Sequence, residues 1–441
     1  MQKVVSVLLI LLMFCTFTVF PINANAAVLS QPPEIRSESA VLIDAVSGQI
    51  LYQKNMNKKM YPASITKIMT GMLALEKGDL SQIITMSYDA VFSIDRNSAH
   101  IALDADEEIT LEQALYALSI ASANEAANGI AESIGGSIGN FVEMMNKAAI
   151  ESGAENTNFT NAHGLPDDNH YTTAYDMAKI ASYALKIPKF IEIFGEERYD
   201  IPPTNKQSET RMLRNRNNFL NGGIPYEGIL MSKAGWTSDA QHTLVTAAKR
   251  EDTTLVAVVM KSANAEDKWD DTTALFDYGF NMFTPVKIPK EWLEKSAPTE
   301  IVAEDNSKIN TIFTAPSDVS ILLPSGKTID NVVIMYGDPE IDERKSQAQI
   351  AVCISLDDTS PTELVDVDIN MSAQIELLDS GWTTFNSSVQ KNTNSKTNSM
   401  MSFFFCFISI GAVVLFFIRR WNITRRKVRQ KRRLRRRQTN K

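Results

Sequence analysis

The stretch Thr243-Leu-Val-Thr-Ala-Ala-Lys-Arg-Glu-Asp-Thr-Thr-Leu-Val-Ala-Val-Val-Met260 carries the clearest structural signal in the chain. It predicts two β-strands, Thr243–Lys249 and Leu255–Met260, joined by a short polar turn. A similar pattern near the start predicts a hairpin between Ala40–Asp44 and Gln49–Gln53. Five helical segments are predicted between the hairpins: Ser64–Lys77, Leu111–Ser119, Glu125–Ile134, Ile138–Ser152 and Thr173–Leu185. First and last strands that enclose a helical middle predict one antiparallel sheet whose ends pair with each other, with helices packed on its faces.

The pattern changes after residue 284. Short β-like runs replace the helical periodicity: Ser320–Leu323, Val332–Tyr336, Gln347–Leu356 and Leu364–Ile369. We therefore expect an α/β fold of the α+β sandwich type over residues 27–284 and a separate small all-β domain over residues 285–378. Residues 379–399 are rich in Thr, Ser and Asn, which is typical of a flexible stalk.

Charge is distributed unevenly along the 441 residues, which carry 44 Lys and Arg against 52 Asp and Glu. Residues 419–441 hold 13 of the basic residues and no acidic one, so the preceding 418 residues have a formal charge of 31 minus 52, or −21. A hydrophobic content of 44% excludes a mainly disordered chain. Three widely scattered cysteines exclude a disulfide scaffold and a paired-cysteine zinc module.

Both ends of the chain indicate export and membrane attachment. Residues 1–26 have the features of a cleaved signal peptide, with an uncleaved anchor as the alternative. Met400–Ile418 contains no charge and is long enough to cross a bilayer as a helix. The basic residues 419–441 follow at once, which favours a cytoplasmic tail beside anionic lipid over a nucleic-acid site. We expect a single-pass protein of the cell membrane whose body lies outside the cell.

A candidate nucleophile and its base lie in Ser64-Ile-Thr-Lys67. Residues i and i+3 of a helix share a face, so the Ser64 hydroxyl and the Lys67 amine would be neighbours. A serine nucleophile with a lysine base is a known variant of the Ser-His-Asp triad. Apolar residues flank Lys67, and burial lowers the pKa of a lysine enough to make it a base. The spacing alone is not specific, because Ser388-Val-Gln-Lys391 in the predicted stalk repeats it.

Two further short motifs could complete such a site. Ser122-Ala-Asn124 lies between two predicted helices, where it either caps a helix or supplies a hydroxyl that relays protons and an amide that holds a substrate carbonyl. Lys233-Ala-Gly235 leads into the hairpin at Thr243, and glycine on an inner strand suits a backbone that a ligand approaches closely. Lys233 would attract a substrate carboxylate and lower the pKa of Lys67. Each motif is weak by itself.

In combination and in this order, the three motifs resemble those of the serine penicillin-recognising enzymes. More narrowly, the chain is similar to the D-alanyl-D-alanine carboxypeptidases, the low-molecular-mass penicillin-binding proteins. Further stretches resemble that family: Pro62–Thr70, His163–Pro166, Tyr171–Ala178 and Leu244–Arg250. The resemblance covers about residues 40–378. It implies a penicillin-binding/β-lactamase-like fold, with an antiparallel sheet that carries helices on its faces.

The resemblance implies catalytic roles for three residues. Ser64 would attack the carbonyl between the two terminal D-alanines of a peptidoglycan stem peptide, and Lys67 would take its proton. Ser122 would pass protons, and water would then hydrolyse the acyl-Ser64 ester. β-Lactams would acylate Ser64 by the same route. Neither a metal nor another cofactor is expected.

The resemblance also implies the residues that bind the substrate. Asn124 would hold the substrate backbone, Lys233 would face the terminal carboxylate, and Gly235 and Thr237 would line the substrate site. The oxyanion hole is expected from the backbone N–H groups of Ser64 and Trp236, and removal of such a donor typically slows a reaction ~100–1000-fold.

One position departs from the family pattern. The third motif of the family usually reads Lys-Thr-Gly, and Ala234 occupies the threonine position here. A lost hydrogen bond to a charged carboxylate corresponds to ~1.5–3 kcal/mol, or roughly 10–150-fold in binding or rate. Whether Ser232 or Thr237 compensates stays open. We expect a working enzyme with a reduced rate, and we expect Ala234→Thr to raise kcat/KM.

Three other functions stay open on the residues alone. His163, Asp167, Asp168 and His170 are of the types that bind zinc, although the chain has no HExxH motif. The altered third motif would also fit a catalytically weak cell-wall binding or scaffold protein. A β-lactamase is the third alternative, but the predicted β domain and anchor are unlike a typical one.

Overall fold

The computed structural model describes residues 31–302, 308–342, 347–356 and 369–374. The predicted signal peptide (residues 1–26), stalk (379–399), membrane helix (400–418) and basic tail (419–441) lie outside this part of the chain. Among the residues described, no helix combines the length and the apolar character that a membrane span needs.

The strands of the described residues follow in chain order: β1 Ser39–Asp44, β2 Ile50–Lys54, β3 Ile83–Thr85, β4 Glu108–Thr110, β5 Arg198–Ile201, β6 Arg211–Arg214, β7 Ile229–Thr237, β8 Gln241–Arg250, β9 Thr253–Ser262, β10 Phe283–Ile288, β11 Glu300–Val302, β12 Lys308–Asn310, β13 Val319–Pro324, β14 Val332–Tyr336, β15 Glu340–Asp342, β16 Gln347–Leu356 and β17 Ile369–Gln374. The helices are α1 Lys67–Lys77, α2 Tyr88–Phe92, α3 Leu111–Ile120, α4 Asn124–Gly135, α5 Ile138–Glu151, α6 Ala174–Ala184, α7 Pro188–Gly195, α8 Asp267–Met282 and α9 Lys290–Ser296.

A five-stranded antiparallel sheet with the strand order β2-β1-β9-β8-β7 forms the centre of the larger region. The N-terminal strand β1 pairs with β9, for example Val41 with Val258, although more than 200 residues separate them. This pairing confirms the predicted antiparallel sheet whose two ends meet. Strand β7, which carries the third motif, lies at one edge of this sheet.

Both faces of the sheet are covered, and this explains the apolar runs in its strands. Val41 and Ile43 on one face belong to a cluster that also contains apolar residues of helices α1, α3, α4, α5 and α6. The alternate residues Ala40 and Leu42 belong to a second cluster, formed with Phe276 of α8. Successive residues of a strand point to opposite faces, so a strand buried on both sides is apolar throughout.

The predicted helices are present, with small differences at their ends. Residues Ala63–Thr66 form a 3₁₀ turn, and α1 begins only at Lys67. Thr110 precedes α3 and forms a capping box with Gln113, which satisfies two backbone N–H groups at the helix start. Sequence analysis missed the short helices α2 and α7 as well as α8, in which many residues are polar and the apolar periodicity is weak.

The region after residue 284 contains the predicted strands β13, β14 and β16 around a third apolar cluster. The predicted boundary between residues 284 and 285 falls inside β10, which pairs with β13. The prediction of an all-β region is wrong at residues 290–296, which form helix α9. Leu293 of that helix is fully buried in the third cluster, so packing supports a segment too short to be detected as a helix. The predicted run Leu364–Ile369 lies outside the described residues apart from Ile369.

Candidate active site

Ser64 lies in the tight turn that precedes helix α1, half-buried between a loop and the sheet. The preceding residue, Ala63, has a φ of 50°, a left-handed conformation that is strained for alanine. Gly164 packs directly against it, since a Cβ at Gly164 would lie 1.9 Å from the Ala63 carbonyl oxygen. The surrounding structure therefore holds Ala63, directly before Ser64, in a backbone conformation that the local sequence does not favour.

Lys67 is completely buried, and three oxygen atoms surround its amine. Nζ lies 3.1 Å from Ser64 Oγ, 2.6 Å from Asn124 Oδ1 and 2.7 Å from the His163 carbonyl oxygen. The two carbonyl-type oxygens can only accept hydrogen bonds. A neutral amine has two N–H donors and one lone pair, so donation to both carbonyl oxygens leaves the lone pair for the Ser64 hydroxyl. The count of donors and acceptors thus fits an amine that can take the proton of Ser64.

The electrostatic environment favours this neutral form. Burial lowers the pKa of Lys67 well below its ordinary value, and the positive charge of Lys233 lowers it further, against the opposing effect of Glu125. The sequence predicted both causes, the apolar flanks and the second cation.

Ser122 and Asn124 come to the same place from the junction between helices α3 and α4. Ser122 has a φ of 58°, which turns the chain sharply between the two helices. Its Oγ accepts a hydrogen bond from Lys233 Nζ at 3.0 Å. The Asn124 amide is held at both ends, because Oδ1 accepts from Lys67 while Nδ2 donates to Ser98 Oγ at 2.9 Å.

Lys233 enters the site from edge strand β7 and is almost completely buried. Besides Ser122, its Nζ donates to the carbonyl oxygen of Ala234 at 2.9 Å. Burial lowers the pKa of Lys233 to about 7. Lys233 and Lys67 thus form a pair of buried lysines on two sides of the Ser122–Asn124 motif. Because two positive charges here would repel each other, the state in which at least one of the two amines is neutral is favoured.

Gly235 lies where β7 passes close to Ser64. A Cβ on this residue would lie 2.7 Å from the backbone nitrogen of Ser64 and 2.6 Å from Thr243 Oγ1. Glycine is therefore required by close approach of two backbones. Trp236, the next residue of the strand, is 62% exposed, so it lies at an open edge of the site.

The neighbouring hydroxyls differ in their availability. Ser232 is buried and bonded to Thr246 Oγ1 at 2.7 Å and to Asn217 Nδ2 at 2.8 Å. Thr237 lies two residues beyond Gly235, so strand alternation places it on the same face as Lys233 and Gly235. It is partly exposed, and its Oγ1 accepts from the Ala240 N–H at 3.0 Å. Thr237 is thus the better candidate to replace the missing hydroxyl at position 234.

Ala234 packs against the apolar cluster on the α8 side of the sheet, where its partner in β8 is Leu244. Lys233 pairs with Val245, which belongs to the cluster on the opposite face. The side chain at position 234 therefore lies on the face of β7 opposite to that of Lys233.

The two histidines considered as metal ligands have structural partners. His170 Nδ1 accepts the Thr160 N–H at 3.0 Å, and Nε2 lies 2.8 Å from Thr66 Oγ1. His163 Nδ1 accepts the Leu165 N–H at 3.1 Å. Burial lowers the pKa of His163 to about 3 and that of His170 to about 4, so both rings are neutral. Over the described ranges, no group of three or more His, Cys, Asp and Glu side chains is placed to hold a metal ion.

Sequence analysis missed three contributions to the site. The His163 carbonyl oxygen, Ser98 and Glu125 each interact with Lys67 or with Asn124, which binds it. The sequence marks His163–Pro166 only through its resemblance to the family. A backbone carbonyl leaves no signal in a sequence, whereas Glu125 next to Asn124 could have been suspected as an acid beside two buried cations.

A model of the family described as D-alanyl-D-alanine carboxypeptidase matches residues 26–264. D-alanyl-D-alanine carboxypeptidase DacF of Bacillus subtilis is 31% identical over 339 residues, which are 75% of this chain and 84% of DacF. D-alanyl-D-alanine carboxypeptidase DacA of Haemophilus influenzae is 32% identical over 305 residues, 67% of this chain and 74% of DacA.

Solved structures show the same likeness. The structure of penicillin-binding protein 5 from Haemophilus influenzae superimposes with a TM-score of 0.62 and 27% identity, over 78% of this chain and 99% of that protein. A D-alanyl-D-alanine carboxypeptidase from Mycobacterium tuberculosis superimposes with a TM-score of 0.53 and 27% identity, over 58% of this chain and 95% of that protein.

Proposed function

This chain belongs to the D-alanyl-D-alanine carboxypeptidase family of serine hydrolases, and from that premise we propose that it removes the terminal D-alanine of peptidoglycan stem peptides through an acyl-Ser64 intermediate. The observation that carries the proposal is the set of contacts of Lys67. Two carbonyl-type oxygens accept hydrogen bonds from the N–H groups of its neutral amine. The remaining lone pair faces Ser64 Oγ at 3.1 Å.

The acylation step follows from this arrangement. Ser64 Oγ bonds to the carbonyl carbon between the two D-alanines as its proton passes to the neutral amine of Lys67. The C–N bond then breaks, and the leaving amine of D-alanine takes a proton that Ser122 relays from the lysine pair. The contact between Lys233 Nζ and Ser122 Oγ at 3.0 Å supports this role.

The deacylation step uses the same groups in reverse. A water molecule loses a proton to Lys67 as its oxygen attacks the acyl-Ser64 ester, and the proton returns to Ser64 Oγ when the ester bond breaks. We assign the stabilisation of the developing oxyanion to the backbone N–H groups of Ser64 and Trp236. The close approach of β7 at Gly235 to the Ser64 nitrogen supports this assignment. Charged Lys233 and the Thr237 hydroxyl attract the terminal carboxylate.

The test is the release of D-alanine from a peptide that ends in D-Ala-D-Ala. Wild type is expected to release D-alanine and to become covalently tagged by a labelled penicillin, whereas Ser64→Ala should do neither. Ser388→Ala is the matched control, because Ser388 stands in the same Ser-x-x-Lys spacing; it should behave as wild type.

Other outcomes of the same experiment would contradict the proposal. A wild-type protein that is neither tagged nor active would be a scaffold with this fold, and activity that EDTA abolishes would indicate a metal enzyme. Rapid turnover of the penicillin, with little release of D-alanine, would indicate a β-lactamase.

The proposal includes the location of the enzyme. We infer attachment to the cell membrane from the uncharged run Met400–Ile418 and the basic residues 419–441 that follow it. Deletion of residues 400–441 should move the protein from the membrane fraction to the soluble fraction. An unchanged distribution would contradict this part of the proposal.

A further inference from the structure

Residues 98–107, here called the bridging loop, run from the candidate active site to a buried ion pair at strand β6. At the active-site end, Ser98 Oγ accepts a hydrogen bond from Asn124 Nδ2 at 2.9 Å, and the Ala99 carbonyl oxygen accepts the Asn124 backbone N–H at 2.9 Å. Asn124 is the first residue of α4 and accepts a hydrogen bond from Lys67. The bridging loop thus holds both the backbone and the side chain of a residue that contacts the candidate base.

At the other end of the bridging loop, Glu107 is completely buried. Its carboxylate accepts two hydrogen bonds from Arg211 of β6, from Nη1 to Oε1 at 2.7 Å and from Nη2 to Oε2 at 2.9 Å. Thr204 Oγ1 and the Asp104 N–H donate two more. A bidentate pair of this kind fixes the orientation of both partners as well as the distance between them.

Arg211 also contacts the middle of the bridging loop. Its Nη2 donates to the Ala102 carbonyl oxygen at 3.0 Å. Ala102 has a φ of 58°, a left-handed conformation that is strained for alanine and persists only where surrounding contacts impose it. The guanidinium of Arg211 therefore helps to hold the bridging loop in a conformation that the local sequence does not favour.

The orientation of the Asn124 amide depends on this loop. Ser98 Oγ donates its own hydrogen to the Asp95 carbonyl oxygen, so it can only accept from Asn124 and must face the amide nitrogen. The amide oxygen is thereby turned toward Lys67, where it accepts an N–H at 2.6 Å. A displaced loop would release the amide, and Lys67 would lose an acceptor that keeps its lone pair directed at Ser64.

We propose that Arg211 is a positioning residue of the active site, which acts through the bridging loop on the side chain of Asn124. The inference rests on the proposed function and adds a residue that lies in none of the three sequence motifs. Replacement of Arg211 should lower kcat and leave KM nearly unchanged, because the groups that attract the terminal carboxylate, Lys233 and Thr237, lie on β7 and not on this loop.

The first test is Arg211→Lys, which keeps the positive charge but not the two parallel N–H groups. We expect kcat for D-alanine release from a D-Ala-D-Ala peptide to fall between about tenfold and 100-fold, with KM changed less than about threefold. The rate of labelling by a low concentration of penicillin should fall by a similar factor. Arg214→Lys is the matched control, since Arg214 lies on the same strand in an exposed ion pair with Asp200; it should leave all three values unchanged.

The second test asks whether Arg211 acts through Ser98. Ser98→Ala removes the hydroxyl that orients the Asn124 amide and should lower kcat about tenfold. If both changes loosen the same amide, the double variant should lose much less than the product of the two single losses. Losses that multiply would show that the two residues act independently, and this would overturn the proposal.

Wild-type kcat in an Arg211→Lys protein that unfolds cooperatively on heating would also overturn it, as would a rise in KM without a fall in kcat. If Arg211→Lys does not fold, Ser98→Ala decides, because Ser98 is only partly buried: a reduced kcat supports the proposal and an unchanged one refutes it. A wild type that penicillin labels but that releases no D-alanine would contradict the proposed function, and the labelling rates of the variants would still test the role of Arg211.

Discussion

Replacing Gly235 with alanine should separate the nucleophile from strand β7 and nearly abolish catalysis. The added Cβ would lie 2.7 Å from the Ser64 nitrogen and 2.6 Å from Thr243 Oγ1, where ordinary contacts begin at 3.4 Å. Relief of the first contact alone requires a shift of 3.4 minus 2.7, or 0.7 Å. A misplacement of about 1 Å can cost ~100-fold in rate, and loss of one oxyanion donor ~100–1000-fold. We therefore expect kcat/KM for D-alanine release to fall at least ~100-fold.

The assay must separate this local effect from unfolding. Overpacking of this kind typically costs ~1–3 kcal/mol, which most domains survive, so thermal unfolding should still show a cooperative transition. Gly139→Ala is the matched control, since a Cβ there meets nothing within 4 Å and the residue lies inside helix α5. That control should keep full activity and gain up to ~1 kcal/mol of stability. A folded Gly235→Ala protein that releases D-alanine at the wild-type rate would refute the reasoning.

Further predictions concern the lysine pair and the hydroxyls near it. The mechanism needs a neutral Lys67 and a charged Lys233. The value of kcat/KM should therefore fall at low pH, where Lys67 gains a proton. It should fall again above about pH 7, because burial lowers the pKa of Lys233 to about 7 and this lysine then loses its proton. Lys233→Arg should move the alkaline fall to higher pH, because arginine stays charged; an unmoved limb would assign it to another group. In steady-state kinetics, Thr237→Val should raise KM for the peptide roughly tenfold, whereas Ser232→Ala should change it less than about twofold. The reason is that of these two hydroxyls only that of Thr237 faces the site. The opposite order of effects would show that Ser232 compensates. Ala234→Thr should raise kcat/KM, and no change would mean that the hydroxyl is irrelevant in this protein.

Local patterns were enough to predict the central elements of the fold. The alternation and apolar runs of β1, β8 and β9 marked the sheet, because a strand buried on both faces needs apolar residues throughout. The helical periodicity of residues 68–77 marked α1 in the same way. Helices α2, α7, α8 and α9 were missed, since short or polar segments become helical mainly through tertiary packing.

The chemical groups of the site were also readable from residue types and their order along the chain. The sequence did not show that these groups come together in one site. Lys67 and Asn124 are 57 positions apart, and Ser122 and Lys233 are 111 apart, so only the packing of α4 and β7 around the start of α1 brings them together. The apolar flanks of Lys67 predicted its burial, which the structure shows to be complete. Only the tertiary structure decided that the His163 carbonyl oxygen takes one of the N–H donors of Lys67 and that Ser232 turns away. A sequence specifies which groups exist and how each segment folds locally, whereas distances and burial between remote segments arise only from the packed whole.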